Sequence, residues 1–353
     1  MSTTTKTLVL CGFVNFPKKV DTHVKPLALT ADTTVVCASP GSPDPHIRYK
    51  RAPTIGVRIL DVLLILLIGL STAVRDDYDL IVSFSLIPYG IFAFVIGTVT
   101  RTPTHLGIIG GDVDGHAQNW YGPAIKWWFR RFDVVTVAGH DYADRLAEYG
   151  VDPDRIWRVF HPIDDAYRES TPVADPEYDI LWLGRISPEK DPYLFIDTLT
   201  ELHRRSVEFS AVLVGSGPLE SDIRALISRR GLEDHVELAG WTDEQLEYYR
   251  NSRVYVLTST REMMPLTVIE AITVGIPVVV PPLGGIPDIV DDGENGYLVP
   301  DGNPGAYADR IERVLRGEDC RLERSPKTRW VEDAGSYEAV SRSWEEILAT
   351  LNH

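Results

Sequence analysis

Two glutamates, Glu262 and Glu270, stand eight positions apart around an apolar segment that follows a proline. Pro265 suits the first position of a helix, which we expect to end near Thr273. The start of this helix would favour an anion, and carboxylates on either side of it would accept hydrogen bonds from hydroxyl groups. The pair therefore fits an anion with hydroxyl-rich ends, such as a nucleoside diphosphate sugar. The competing interpretation is two solvated surface charges.

Two cations, Arg185 and Lys190, follow the predicted strand Asp179–Leu183. Arginine binds a phosphate through two parallel hydrogen bonds, and lysine adds a mobile point charge. These residues predict contact with a phosphate or diphosphate. The alternative is a solvated loop in which Lys190 pairs with Glu189 or Asp191.

Two glycines, Gly215 and Gly217, join the predicted strand Ser210–Val214 to a helix. Glycine lets the backbone approach a phosphate at the start of a helix. The nicotinamide fingerprint needs a third glycine, and Glu220 stands in its place, so an oxidoreductase rests on this turn alone. A tight strand-to-helix turn without any ligand explains the two glycines equally well.

A D-x-D sequence at positions 112–114, with His116 close by, could bind a divalent metal that holds a diphosphate. Such a site would duplicate the work of Arg185 and Lys190. We therefore expect no obligatory metal.

Strand and helix patterns alternate in both halves of the chain, as in parallel sheets with helices on both faces. The interval 169–177 is the expected linker, and two such halves would enclose a cleft. The predicted strands of the first half are Thr7–Gly12, Thr34–Ala38, Leu80–Ser83, Thr104–Ile109 and Val134–Ala138. In the second half we predict further strands at Val236–Leu238, Val254–Thr258 and Val278–Val280 and a last amphipathic helix at Ser336–Leu351.

The composition bounds the class of protein. A chain of 353 residues suggests two domains, and a net charge of −16 argues against binding nucleic acid. Cations are mostly arginine and aspartate outnumbers glutamate, which suits a high-salt cytoplasm. Cys11, Cys37 and Cys320 show no paired spacing, so we expect free thiols in a reducing compartment. No cleavage site follows the first apolar run, so we expect no signal peptide and a cytoplasmic protein.

Two apolar stretches, Ile59–Leu70 and Leu80–Thr100, raise the question of a membrane. The second is long enough for a span, but Pro88 and Gly90 interrupt it. A buried strand over Leu80–Phe84, a turn and a buried helix fit this segment better. Peripheral contact between the first domain and the inner face of a membrane is the remaining alternative.

Five segments of the second half occur in a familiar order: LGRISPEKDP, VGSGPLESDI, VELAGWTDEQL, EMMPLTVIEAITVGIPVV and GGIPDIVDDGENGYLV. They resemble the family 4 retaining glycosyltransferases, and Glu262 with Glu270 resembles the E-x7-E motif of that family. The first half resembles it more loosely, through IIGGDVDGH, VVTVAGHDYADRLAEYGV and VFHPID. The resemblance implies the α/β GT-B fold with two Rossmann-like domains. Residues 1–168 and a returning helix 336–353 would form the acceptor domain, and residues 178–335 the donor domain.

The resemblance also implies roles for individual residues. Arg185 and Lys190 would hold the donor diphosphate, Glu262 would face the sugar, and Glu270 would bind the ribose hydroxyls. Other residues expected to contact the donor are Met264, Pro265 and Leu266 through their backbone, and Gly215, Gly217, Gly240 and Trp241. Residues expected on the acceptor or sugar side are Gly110, Asp112 and His116.

The implied reaction transfers a sugar from a nucleoside diphosphate sugar, with retained configuration, to a glycan or lipid-linked acceptor. This chain departs from the family pattern where Met263 and Met264 replace a glycine after the first glutamate, and where Ile109 replaces a histidine. Methionine adopts positive φ only at a cost, so we expect a different loop or sugar pocket. The departures motivate an alternative: a catalytically weak nucleotide-sugar-binding subunit of a membrane glycan-assembly complex.

Overall fold

The structure, a computed structural model, describes residues 5–12, 17–38, 43–109, 111–317 and 325–351. The chain divides into two compact units, Met1–Pro162 with Gly335–His353 and Ile163–Ala334. The first unit thus ends at Pro162, six residues before the predicted boundary at residue 168. The cause is the segment that follows: the ring of Tyr167 packs on Tyr249 of the second unit, with ring centroids 5.9 Å apart.

Part of the predicted linker, too, is built into the second unit. Within the interval 169–177, the Val173 N–H donates to the carbonyl of Arg250 at 2.9 Å.

In the described part of unit 1, seven parallel strands form one sheet in the order β3-β2-β1-β4-β5-β6-β7. The strands are β1 Lys6–Leu10, β2 Asp32–Cys37, β3 Ile47–Arg51, β4 Leu80–Ser83, β5 Thr104–Gly107, β6 Val134–Val137 and β7 Ile156–Arg158. The helices are α1 Pro17–His23, α2 Lys25–Ala28, α3 Arg58–Arg75, α4 Ile91–Thr100, α5 Gly111–Asp114, α6 Gly122–Phe129 and α7 His140–Glu148. Central strands are buried on both faces, as expected for a parallel sheet between helices.

In the described part of unit 2, six parallel strands form a sheet in the order β10-β9-β8-β11-β12-β13. The strands are β8 Tyr178–Leu183, β9 Ala211–Val214, β10 Val236–Gly240, β11 Ser252–Val256, β12 Val278–Val280 and β13 Gly296–Leu298. The helices are α8 Asp165–Arg168, α9 Pro192–Arg204, α10 Glu220–Arg230, α11 Gln245–Arg250, α12 Leu266–Val274, α13 Ile286–Ile289, α14 Pro304–Leu315 and α15 Pro326–Ala334.

The last helix, α16 (Tyr337–Leu351), returns to unit 1. Its Trp344 is buried in the core of that unit against the rings of Phe84 and His105. A hydrogen bond of 3.1 Å from Ser341 Oγ to the carbonyl of Pro26 fixes the helix beside α2. The amphipathic pattern of the sequence thus predicted both this helix and its buried face.

The apolar segment Leu80–Thr100 contains the predicted strand, turn and helix. Strand β4 is followed by a turn over Leu86–Gly90, in which Ile87 is extended, and then by α4. Within the described ranges, no helix has both the length and the apolar character needed to cross a membrane.

Candidate functional site

The predicted donor residues follow successive parallel strands of unit 2, whose carboxyl ends meet at one edge of the sheet. A cavity of about 600 Å³ opens at this edge. Four predicted residues line it, Arg185, Gly215, Gly217 and Trp241, together with Leu183, Gly184, Val214, Ser216, Pro218, Thr242 and Gln245. Sequence reasoning missed Thr242 and Gln245, which follow Trp241 and carry no motif of their own.

The glycine turn is held by a close approach between two loops. At Gly215, where φ is +139°, a Cβ atom would lie 1.9 Å from the carbonyl oxygen of Gly184. At Gly217 a Cβ atom would lie 2.2 Å from the carbonyl oxygen of Ile186. Side chains are therefore excluded because backbone lies against backbone. This contact sets the loop that carries Arg185 beside the glycine turn.

Lys190 and Glu262 form an ion pair that joins the loop after β8 to the loop after β11. Lys190 Nζ donates to Glu262 Oε1 at 2.5 Å, and Ser259 Oγ donates to the same oxygen at 2.6 Å. The side chain of Glu262 is only 9% exposed. The solvated-loop and surface-charge interpretations are thus wrong for both residues. Their direct contact, 72 positions apart in sequence, was not predicted.

The backbone around Lys190 is fixed by buried polar side chains. Thr258 Oγ1 lies 3.0 Å from the carbonyl oxygen of Lys190 and 2.8 Å from that of Asp191, so its one proton serves both. Trp182 Nε1 donates to the same hydroxyl at 3.0 Å. Asp191, at φ +44°, caps α9 by accepting from the Leu194 N–H. The Asp191 cap and the Thr258 hydrogen bonds together fix the backbone position from which the Lys190 side chain extends.

Glu270 lies in the second turn of α12 and is only 3% exposed. The hydroxyl of Tyr249 lies 3.0 Å from Glu270 Oε2 and donates to it. Burial and the adjacent carboxylate raise the pKa of Tyr249 well above its usual range, so it stays a donor. A buried carboxylate is costly unless it is paired. Glu270 is therefore not a surface charge, and the competing interpretation is wrong here too.

The start of α12 differs slightly from the prediction. Pro265 is the residue before the helix rather than its first residue, and Leu266 begins it. Proline has no side-chain acceptor to cap the amide groups of the first turn, which lack partners within the helix. The helix start thus keeps the anion-favouring character expected from the sequence.

The two methionines between the glutamates are buried. Met263 and Met264 are 8% and 5% exposed, and neither has a positive φ. The Gly285 N–H donates to the carbonyl of Met263 at 2.5 Å, and the Met264 Cε occupies the space above Gly285. The loop thus takes a conformation that methionine adopts without strain, and two glycines opposite it make the room.

The candidate residues of unit 1 have structural partners. Both carboxylate oxygens of Asp112 lie 3.2 Å from the Leu86 N–H, and burial raises the pKa of Asp112. His116 Nδ1 lies 2.8 Å from the hydroxyl of Tyr121. Gly110 lies outside the described residues.

The second carboxylate of the D-x-D sequence, Asp114, accepts from Arg145 at 2.8 Å and from the hydroxyl of Tyr142. Over the described ranges, no group of three histidine, cysteine, aspartate or glutamate side chains is arranged to hold a metal ion. Asp112 and Asp114 each accept hydrogen bonds from a neighbouring segment of unit 1.

Two family models together match most of the chain. The model described as "Glycosyl transferases group 1" matches residues 164–332, and the model described as "Glycosyl transferase 4-like domain" matches residues 27–160. The chain belongs to the family 4 glycosyltransferases.

Two curated relatives indicate the range of chemistry in this family. WcaL of Salmonella typhimurium, named for colanic acid biosynthesis, is 29% identical over 65% of this chain and 60% of WcaL. Alpha-D-kanosaminyltransferase of Streptomyces kanamyceticus is 31% identical over 53% of this chain and 52% of that protein. The chain thus matches between half and two thirds of the length of these two relatives.

Among solved structures, Anabaena Alr3699/HepE in complex with UDP superimposes with a TM-score of 0.80, at 18% identity, over 98% of this chain and 100% of that one. A lipopolysaccharide outer core galactosyltransferase, WaaB, gives a TM-score of 0.76 at 16% identity. These likenesses establish the GT-B fold.

The backbone contact at the glycine turn leads to a stability prediction. Gly215→Ala should lower the free energy of unfolding by at least about 3 kcal/mol, since the new Cβ meets backbone at a positive φ. Gly231→Ala is the matched control, because its φ is +67° but nothing lies within 4 Å of the added Cβ. We expect the control to cost only about 1–2 kcal/mol. Equal losses in urea denaturation would contradict the close approach.

Proposed function

We propose that this chain transfers a sugar from a nucleoside diphosphate sugar to an acceptor hydroxyl, with retention and without an obligatory metal. The observation that carries the proposal is that two cations and two mostly buried carboxylates follow adjacent parallel strands, β8 and β11, of the unit 2 sheet. Arg185 lines the cavity at the carboxyl edge of that sheet, and Lys190 is ion-paired with Glu262. A ligand with a diphosphate between two polyhydroxyl groups matches that distribution of charge.

Arg185 and Lys190 take the diphosphate in this proposal. When the bond between the anomeric carbon and the diphosphate oxygen breaks, negative charge grows on the leaving group, and fixed cations stabilise it. Such stabilisation makes a divalent ion unnecessary. The uncapped start of α12 adds further favourable potential for the same anion.

The carboxylates bind the two hydroxyl-rich ends of the donor. Glu270, held by Tyr249, accepts from the ribose hydroxyls, and Glu262, held by Ser259 and Lys190, accepts from the sugar. Trp241, which is 68% exposed at the rim of the cavity, offers an aromatic face to the base. Retention is proposed because the chain belongs to a family known for retaining enzymes.

The acceptor in this proposal is a glycan or a lipid-linked glycan, bound by unit 1. The name of WcaL refers to colanic acid biosynthesis and that of WaaB to the lipopolysaccharide outer core, which supports an acceptor of this class. Asp112 and His116, at the carboxyl edge of the unit 1 sheet, remain the proposed residues on that side.

The function is tested by nucleoside diphosphate release from a panel of nucleotide sugars and glycan acceptors, with a chelator present. We expect acceptor-dependent release that the chelator leaves intact, and a product whose anomeric configuration equals that of the donor. Donor binding without release for any acceptor would instead support the non-catalytic subunit. Release abolished by the chelator would contradict metal independence.

Lys190→Ala should lower turnover by roughly 100-fold or more, because it removes a cation from the developing charge. The matched control is Lys327→Ala: Lys327 is also a partly exposed lysine of unit 2 in an ion pair, 3.2 Å from Asp291. The two variants should lose similar stability, while only the first loses turnover. If folded Lys190→Ala kept the turnover of the wild type, Lys190 would not act on the diphosphate.

Glu270→Gln should weaken nucleoside diphosphate binding about tenfold or more, since it replaces a charged acceptor of the ribose hydroxyls. Glu237→Gln is the control, because Glu237 also accepts from a tyrosine, the hydroxyl of Tyr178 at 2.7 Å, but lies at the start of β10, away from the carboxyl edge of the sheet. Calorimetric titration measures both. Equal affinities for wild type and Glu270→Gln would show that the ribose assignment is wrong.

A further inference from the structure

Helix α3 of unit 1 leaves an apolar stripe uncovered. Its members, here called the α3 stripe, are 42–73% exposed: Ile59, Leu60, Leu63, Leu67 and Val74. At 3.6 residues per turn they lie within an arc of about 100°. The opposite side of the helix, with Ile65, Gly69 and Ala73, is buried in the core. The stripe is therefore a surface that the fold of unit 1 does not use.

The loop before α3 extends the stripe. Ile55 and Val57 are 58% and 52% exposed. Asp61 Oδ1 accepts from the Ile55 N–H at 2.7 Å, which ties the loop to the first turn of the helix. The apolar side chains of the loop are thus held outward in a defined place.

Helix α4 widens the apolar surface. It packs beside α3, since the Ile96 Cδ1 lies 2.9 Å from the position of a Cβ at Gly69. Its outer residues Val95 and Val99 are 37% and 59% exposed. Exposed apolar residues on two neighbouring helices are the kind of surface that marks an interaction site.

The charges around the stripe differ from those of the chain as a whole. The chain has 51 carboxylates and 35 lysines and arginines. Residues 45–75 have one carboxylate, Asp61, and five cations, Arg48, Lys50, Arg51, Arg58 and Arg75. Arg48 is paired with Asp32, but Arg58 and Arg75 are exposed at the two ends of α3. Asp44, which is ion-paired with Lys25, precedes this range, and Asp76 and Asp77 follow it.

We propose that the α3 stripe and the loop before it bind the surface of an anionic lipid bilayer. An apolar helix face with basic residues beside it lies in the plane of a membrane interface, where acyl chains cover the apolar residues and lipid phosphates attract the cations. The aspartates beyond Arg75 favour a tilt in which the loop end of α3 inserts more deeply.

This orientation has a consequence for the acceptor. Strand β3 runs parallel to the other strands and ends at Arg51, so the loop and the start of α3 lie at the carboxyl edge of the unit 1 sheet. The segment with Asp112 follows β5 at the same edge. Docking would hold that edge at the bilayer, so that unit 1 would receive a lipid-linked acceptor rather than a free glycan. This consequence for the acceptor rests on the proposed function.

The test is co-sedimentation of the full chain with phosphatidylcholine vesicles, with and without phosphatidylglycerol. We expect binding that the anionic lipid strengthens. The double variant Ile59→Gln with Leu63→Gln should lower the partition coefficient about tenfold or more. Arg58→Gln should lower it about fivefold, on anionic vesicles only. The control is Leu29→Gln, because Leu29 is 42% exposed like Leu63 but follows α2 on the other face of the sheet. This variant should bind vesicles as the wild type does.

Three results would overturn the proposal: no vesicle binding by wild type, equal binding by the double variant, or loss of binding by Leu29→Gln as well. Dimers that the double variant abolishes, without vesicle binding, would assign the stripe to a second copy of the chain. Nucleoside diphosphate affinity is measured on the same samples. If the double variant keeps that affinity but leaves the vesicles, docking and the donor site are separate properties.

Discussion

The site in unit 2 depends on one interaction, the ion pair between Lys190 and Glu262. It joins two loops that follow adjacent parallel strands, and it lies in a largely buried setting, where an unpaired charge would be costly. The neighbouring polar residues hold the ion pair in place. Ser259 donates to the carboxylate, and Thr258, bonded by Trp182, fixes the backbone from which the lysine extends. Because this frame holds the two charges before any ligand arrives, the proposed donor would meet a prepared site.

Most of the fold could be predicted from the sequence. Strands β4 and β12 have the predicted bounds, and other central strands differ by a few residues. The strands that were missed, β3, β7 and β13, all lie at a sheet edge. Strand β3 reads IRYKR, and β7 and β13 have three residues each, so none shows an apolar run. Short or charged edge strands such as these three form by pairing with a neighbouring strand that lies elsewhere in the sequence.

The residue types of the site were predicted better than their contacts. Arg185, Gly215, Gly217 and Trp241, each predicted to contact the donor, line one cavity, because parallel strands bring their carboxyl ends together. The pairing of Lys190 with Glu262, and of Tyr249 with Glu270, depends on loop lengths and on how helices pack. Met263 and Met264 are explained only by the space above Gly284 and Gly285, twenty positions later in the chain. Whether the fold can accept a residue that departs from the family pattern thus depends on the residues packed against it.

The central claim is that the donor binds at the carboxyl edge of the unit 2 sheet, around the ion pair. Hydrogen exchange of the full chain, with and without each common nucleoside diphosphate, tests it most directly. We expect at least one nucleotide to slow exchange over residues 184–190, 214–218 and 262–270. Residues 291–299, which include the edge strand β13, should be unaffected. Protection confined to residues 109–116 of unit 1, or no protection with any nucleotide, would contradict the account.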